Sequence, residues 1–337
     1  MNSTVNITIV TPSYNQGAFL AETIESVMSQ RGDFSIEYII VDGGSTDDSI
    51  KIIRHYEWLL EQGMWNVQCL GINYRWLSEK DRGQANALMK GFRMAGGDIY
   101  AWLNSDDIYL PGALQSVADF FQALPDTGLF YGEAHYCAPD GKIIGSYRTN
   151  VFYFEKLAWF NFICQPAAFF SKVAFETVGG LDESLQYAMD YDLWIRLGKR
   201  FPCRYRTGPL AAYRLHEASK TISDKNLIEN AEEGLYVAMK HFGWAPITRV
   251  YNACYPLSMS RLPSCLARYR MVVTISALLL SIFRSFRLNH GINKKDLKLL
   301  NCENFRKLFR SRLKIMTCTN GNLYAGKDDP SQSRFGK

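Results

Sequence analysis

The sequence predicts an α/β fold built on a mostly parallel sheet flanked by helices, and three observations carry that expectation. Apolar runs of strand length alternate with amphipathic helical stretches along residues 5–103. A helix between two strands is what a parallel crossover requires, because the chain must travel back along the sheet. Of 337 residues, 47% are hydrophobic and 21% charged, the make-up of a globular chain rather than a fibrous or disordered one.

The elements can be read in order. Ile7 to Val10 forms the first apolar run and ends in a polar turn, Thr11 to Gly17. Leu20, Ile24, Val27 and Met28 then recur at helical spacing. A second run, Tyr38 to Val41, meets Asp42-Gly43-Gly44-Ser45, after which Thr46 is the expected N-cap of the next helix. A third strand is expected over 74–77 with a helix over 84–94. A fourth runs from Ile99 to Leu103 into Asn104-Ser105-Asp106-Asp107. Beyond about residue 125 the pattern changes to short strands around Pro139-Asp140-Gly141, then helices over 192–200 and 224–242. In parallel sheets ligands bind beyond the carboxyl ends of the strands, and the polar clusters all fall there.

Charge divides the chain. The net formal charge is +5, yet residues 1–243 hold 21 basic and 29 acidic side chains, and residues 244–337 hold 17 and 4. The eight cysteines show no C-x-x-C pair, so neither a zinc site nor a disulfide framework is expected, and scattered thiols suit a reducing compartment. Met1-Asn2-Ser3-Thr4 lacks the basic and apolar regions of a signal peptide, which places the chain in the cytoplasm as an expectation. No G-x-G-x-x-G follows the first strand and no G-x-x-x-x-G-K-[ST] occurs, which argues against dinucleotide oxidoreductases and P-loop NTPases.

Asp106-Asp107 is the most informative pair. Two carboxylates after a buried strand repel each other, and a hard divalent cation completed by ligand phosphates relieves that repulsion. The competing reading is a solvated turn, since Asp favours turns and Pro111 suits a helix start. Asp42 and Asp81 each read as a contact to a base or ribose, or as an Asx-type turn. Asp190 reads as a proton acceptor or as an N-cap, with Asp192 able to fill the cap instead. Trp102 and Trp194 read as core first and sugar-stacking surface second.

Seven ordered segments together resemble a family 2 glycosyltransferase: ITIVTPSYNQGAFL (7–20), VDGGSTDDS (41–49), SEKDRGQANALMKGF (78–92), GDIYAWLNSDDIYLPGAL (97–114), ICQPAAFF (163–170), GGLDESLQYAMDYDLWIRL (179–197) and YRLHEASKT (213–221). The resemblance covers about residues 5–240. It implies a GT-A fold, a nucleotide-sugar donor (a UDP-sugar is favoured), a saccharide acceptor, a divalent metal, Mn²⁺ or Mg²⁺, and inversion at the anomeric carbon. By the same resemblance Thr11, Pro12 and Tyr14 line the nucleotide, Asp42 recognises the base and Asp81 is a further nucleotide contact. Asp106 lies towards the ribose, Asp107 is on the metal with His216 near it, Asp190 is the catalytic base, and Gln165 faces the sugar or acceptor. The sequence departs from the pattern at Asn86, Met89 and Met189, where relatives often carry an acid, an Asn and a Glu. Alternatives are a sugar-phosphate nucleotidyltransferase, whose Gly-rich phosphate loop is not found after the first strand, and a non-catalytic nucleotide-sugar-binding or membrane scaffold protein.

The expected organisation is a catalytic domain over 1–243, a basic, partly apolar helical extension over 244–316 and a polar tail over 317–337. Met271 to Phe283 is an uncharged run of 13 residues, about 20 Å as a helix and too short for a ~30 Å hydrocarbon core. A second stretch, 297–316, sets Leu297, Phe305, Leu308, Phe309 and Met316 broadly opposite Arg306, Lys307, Arg310 and Lys314. The two stretches read either as ordinary packing or as a peripheral contact with an anionic membrane, where a lipid-linked acceptor would be met. Bacterial cell-surface polysaccharide synthesis is the expected setting, and nucleic acid is not an expected partner.

Overall fold

The computed structural model describes residues 4–216 and 226–297. Of these, residues 4–290 belong to one compact unit and residues 291–297 to a second.

Nine strands make one sheet: β1 (Val5–Ser13), β2 (Gly32–Asp42), β3 (Cys69–Ser78), β4 (Ile99–Trp102), β5 (Ile108–Tyr109), β6 (Leu129–Cys137), β7 (Ile143–Ser146), β8 (Ala168–Ser171) and β9 (Cys203–Arg214). The order is β3-β2-β1-β4-β8-β6-β9-β5, with β7 on β6. Strands β3, β2, β1 and β4 run parallel, whereas β8 is antiparallel to both β4 and β6. Eight of the nine β1 residues are buried, as expected of a central parallel strand covered on both faces.

The helices are α1 (Leu20–Met28), α2 (Ser49–Glu61), α3 (Gln84–Met94), α4 (Ala113–Ala123), α5 (Lys172–Thr177), α6 (Met189–Gly198), α7 (Leu227–Phe242), α8 (Ile247–Arg261), α9 (Ser264–Ala267) and α10 (Arg270–Leu288), with α11 (Lys294–Leu297) in the second unit. The apolar stripe expected in α1 is its buried face: Leu20, Ile24, Val27 and Met28 are fully enclosed. Helix α3 lies close on β1 because Gly91 has no side chain; a Cβ there would stand 2.4 Å from Val10 Cγ1. Trp102 and Trp194 stack at 5.7 Å, 13° from parallel, and both are buried, so their role is core and not sugar stacking.

Three expectations need correction. Thr46 does not cap α2, which starts at Ser49; the Thr46 N–H donates to Asn15 Oδ1 instead, joining the loops after β1 and β2. Helix α6 begins at Met189, earlier than Asp192, with Ala188 at its N-cap, so neither Asp190 nor Asp192 caps it. The uncharged run of 13 residues understates α10, whose 19 residues span about 28 Å. Among the described residues, α10 is the one helix long and apolar enough to cross a membrane. The stretch expected over 297–316 lies, but for the backbone of Leu297, outside the described residues, as does the tail over 317–337. The boundary expected after 243 falls at Gly243, whose positive φ of 74° ends α7, and the first unit continues through it.

Candidate active site

Register places the strand ends level: Ser13 pairs with Asp42, and Asp42 with Ser78. The Asp42 carboxylate is buried and turned onto its own loop. Oδ2 accepts from Gly44 N (2.9 Å), Ser45 N (2.9 Å) and Ser78 Oγ (2.7 Å), and Oδ1 from Ser45 Oγ. Of its two readings, the turn is the one seen. Asp81 accepts from Gly83 N at 2.8 Å, and a Cβ on Gly43 would lie 2.5 Å from its Oδ2 and 3.4 Å from the Tyr14 ring. Gly43 thus leaves room between an exposed aromatic ring, Tyr14, and a carboxylate, Asp81. Thr11 and Pro12 do not open on this crevice. Strand β1 continues to Ser13, so both are buried, and the Thr11 hydroxyl lies 3.1 Å from the Tyr38 phenol.

The Asp106-Asp107 turn is held by one buried cation. Arg214, at the end of β9, is fully enclosed; its Nε donates to Asp106 O (2.8 Å), its Nη1 to Pro139 O (2.7 Å), and its Nη2 pairs with Glu22. Its backbone N–H donates to Asp107 Oδ1 at 2.9 Å, while Asn104 Nδ2 reaches Asp107 Oδ2 at 3.2 Å. Asp107 is thereby enclosed, with both oxygens engaged. Burial and then the neighbouring Asp106 charge raise its pKa well above the ordinary range, against the pull of Arg214 and Asn104. Asp106 is the member of the pair that keeps some exposure, and its Oδ2 is 2.9 Å from His216 Nε2. The expected division, Asp107 on the metal and Asp106 towards the ribose, therefore does not match the orientation seen, in which Asp106 and His216 present the adjacent donor atoms.

No group of three or more His, Cys, Asp or Glu among the described residues could enclose a metal ion. The pair Asp106 and His216 nevertheless fits a divalent cation that takes its remaining ligands from a diphosphate and water, because one or two protein ligands suffice in such sites.

Asp190 sits in the first turn of α6. It accepts from Tyr191 N (2.6 Å) and Asn161 Nδ2 (3.2 Å), and burial pushes its pKa up to about 6 despite those bonds and the positive charge of Arg249. Gln165, expected to face sugar or acceptor, spends its amide inside the protein: Nε2 donates to Trp102 O (2.7 Å) and Oε1 accepts from Asn104 (3.1 Å). The segment 161–165 consequently links Asp190 at one end to the Asp106-Asp107 turn at the other. Four residues span at most about 14 Å, so the segment keeps Asp190 and the turn close to one another. Cys164, within that segment, has its thiol pushed up by burial and by the charges of both Asp107 and Asp190.

Four residues of this site carry no sequence signal. Asn161 orients Asp190. Arg249 of α8 lies 4.0 Å over the Tyr191 ring. Glu233 of α7 accepts the N–H groups of Gln186, Tyr187 and Ala188 (2.8, 2.5 and 2.6 Å), fixing the entry to α6. Arg214 could have been flagged only by its place beside His216. The departures at Asn86 and Met89 face the loop before α6: Asn86 donates to Glu183 at 2.6 Å, and Met89 sulfur accepts Leu181 N. Met189 is core.

Residues 8–178 match the model of glycosyl transferase family 2. The chain belongs to that family. This sets aside the nucleotidyltransferase alternative. Among similar family members, an uncharacterised glycosyltransferase of Rickettsia prowazekii (strain Madrid E) is 25% identical over 67% of this chain and 69% of its own. The Escherichia coli chondroitin synthase is 25% identical over 74% of this chain but only 35% of its own length. A PGL/p-HBAD biosynthesis glycosyltransferase of Mycobacterium bovis is 27% identical over 66% and 82%. Two solved structures share the fold at a TM-score of 0.51: S. aureus TarS 1–349 in complex with UDP-GlcNAc (14% identity, 84% of this chain, 91% of that one) and a mannosyltransferase of Pyrobaculum calidifontis in complex with GDP-Man and Mn²⁺ (16%, 94% and 84%). The fold of this family 2 chain is of the GT-A type.

Proposed function

We propose that this glycosyltransferase moves a sugar from a nucleoside diphosphate to an acceptor hydroxyl with inversion, in the assembly of a cell-surface polysaccharide. One observation carries the reading: a single partly open carboxylate with a raised pKa, Asp190, is tied through segment 161–165 to the Asp106-Asp107 turn beside His216. A base of pKa about 6 is ionised at neutral pH, yet accepts a proton more readily than an ordinary carboxylate. One base suffices for a single displacement. The acceptor O–H gives its proton to Asp190 as its oxygen bonds to the anomeric carbon, and the bond from that carbon to the diphosphate oxygen breaks. Retention would call for a second carboxylate placed as nucleophile.

The nucleoside base is assigned to the crevice between Tyr14 and Asp81, over Gly43, with Asp42 acting through the turn it holds. Asp106 and His216 would hold Mn²⁺ or Mg²⁺, with Asp107 and Arg214 supporting the turn from behind. The cation, when bound, neutralises charge on the departing diphosphate. Support comes from nucleotide sugars bound to the two solved neighbours, the Mn²⁺ in one of them, and the chondroitin and PGL/p-HBAD synthesis named for the relatives. The test is transfer from a panel of nucleotide sugars with Mn²⁺, the product's anomeric configuration being read by NMR. A retained configuration, or transfer by Asp190→Asn at the wild-type rate, would refute the mechanism.

A further inference from the structure

Helix α10 is amphipathic in the opposite sense to a core helix. Its buried residues are Val273, Thr274, Ala277, Ser281 and Ser285, mostly small or polar. Its large residues point away from the protein: Met271, Ile275, Leu279, Ile282, Phe283 and Phe286 are 47–69% exposed. At 100° per residue, these six fall within an arc of about 120° that runs the length of the helix. Small residues let one helix approach another closely, and here they lie against α8. Isolated exposed apolar residues are ordinary; a continuous stripe of this size marks a contact surface.

Charge identifies what covers it. No Asp or Glu occurs between residues 244 and 295, a stretch with eight Lys or Arg. Arg268 before the stripe, Arg287 at its end and Arg261 on α8 are exposed. A second copy laid on this face would bring cations against cations. So would residues 298–337 of the same chain, which hold nine basic and three acidic side chains. An anionic lipid surface complements both the stripe and its rim. The helix is also tied down sideways: Asn289 exchanges bonds with Ala245 (2.8 and 3.0 Å), and Arg284 pairs with Glu232. This fixes it along the protein surface, in the attitude of a helix lying in a membrane plane.

We propose that the α10 stripe, with Arg261, Arg268 and Arg287 at its rim, is a docking surface for an anionic membrane, into whose interface the six apolar side chains insert. The proposal is independent of the catalytic assignment. Its test is flotation of the full chain with vesicles containing phosphatidylglycerol or phosphatidylcholine alone. Wild type should float with the former, and at least about tenfold less with the latter or in high salt. The variant Ile275→Ser/Leu279→Ser/Phe283→Ser should lose about tenfold or more of its binding. Because these side chains are exposed, its melting temperature and donor hydrolysis should match wild type. Arg268→Gln/Arg287→Gln should weaken binding to anionic vesicles alone. Wild type failing to float, the triple variant floating equally, or a wild-type dimer that the triple variant turns into a vesicle-indifferent monomer would each overturn the proposal. Loss of hydrolysis in wild type would bear on the catalytic reading only.

Discussion

Asp190 combines two properties that pull against each other. Its folded pKa, about 6, lies above the ordinary 3.8, so between those values the folded protein holds a proton that the unfolded chain has released. Stability from this group therefore falls as pH rises through that window, and the cost is complete above about pH 6. Asp190→Asn should accordingly be more stable than wild type at pH 7, by an amount on the order of 1 kcal/mol because the carboxylate stays partly open to solvent, and the difference should vanish near pH 4 in thermal melts. The same variant should transfer sugar at least about 100-fold more slowly while binding donor normally. In wild type, kcat/KM should decline as pH drops below about 6, where the base becomes protonated. At the other end of segment 161–165, His216→Ala and Asp106→Asn should each weaken Mn²⁺-dependent UDP binding about tenfold or more in calorimetry. Equal affinity with and without Mn²⁺ in wild type would remove the metal assignment. The Asp106-Asp107 pair was legible because it follows an apolar run at the end of a strand, and Asp190 because its segment resembles the family's. Asn161 was not, since a lone Asn in a loop looks the same whether or not it orients a base.

Elements reach the site through their ends. Helix α6 has no cap from its own preceding residue; Glu233, 45 residues downstream of Ala188, accepts the N–H groups before it. Glu233→Ala should lower stability by about 1–2 kcal/mol, since three N–H donors, two of them part-buried, lose their acceptor. It should also depress kcat more than the donor KM, because the displaced group is Asp190. One turn further along, Asp192 pairs with Arg196 within α6 (2.6 Å) and joins α7 through His241 (2.7 Å) and Lys240 (3.3 Å). Burial alone would raise its pKa, but these partners hold it at about 2. Its contribution is thus present above the ordinary 3.8 and is lost as pH falls towards 2. Asp192→Asn should cost about 2–4 kcal/mol at pH 7, and the gap should narrow in melts below pH 4. Periodicity identified α1, whose Leu20, Ile24, Val27 and Met28 form most of its buried face, and α3 lies over the expected 84–94. It missed β5, only Ile108–Tyr109, and the 12-residue β9, whose Gly208-Pro209 pair resembles a turn and whose place is set by pairing with β6. Long-range pairing has no local periodicity to betray it.

At the scale of the whole molecule, the parallel half of the sheet carries Tyr14, Asp42 and Asp81 at its strand ends, and the mixed half carries Gln165, Arg214 and His216. Donor and Mn²⁺ together should raise the melting temperature more than either alone, and Asp106→Asn should abolish that excess. A fragment ending at residue 178, the limit of the family match, lacks Asp190, Arg214, His216 and β9. It should show no cooperative melt, since β6 would lose its longest partner. The division of charge along the chain was legible from composition, but its spatial meaning was not. Only the structure shows that the large side chains of α10 face outward and the small ones inward, a reversal that a count of apolar residues cannot register.

Arg214 also sets a clock on the protein's birth. The Asp106-Asp107 turn leaves the ribosome 107 residues before the amide that Asp107 accepts from. At about 5–20 residues per second, this is a delay of roughly 5–20 s. Throughout that interval the nascent chain carries two adjacent carboxylates without the guanidinium that neutralises their turn. The turn is completed only when β9 pairs with β6 and brings the cation with it.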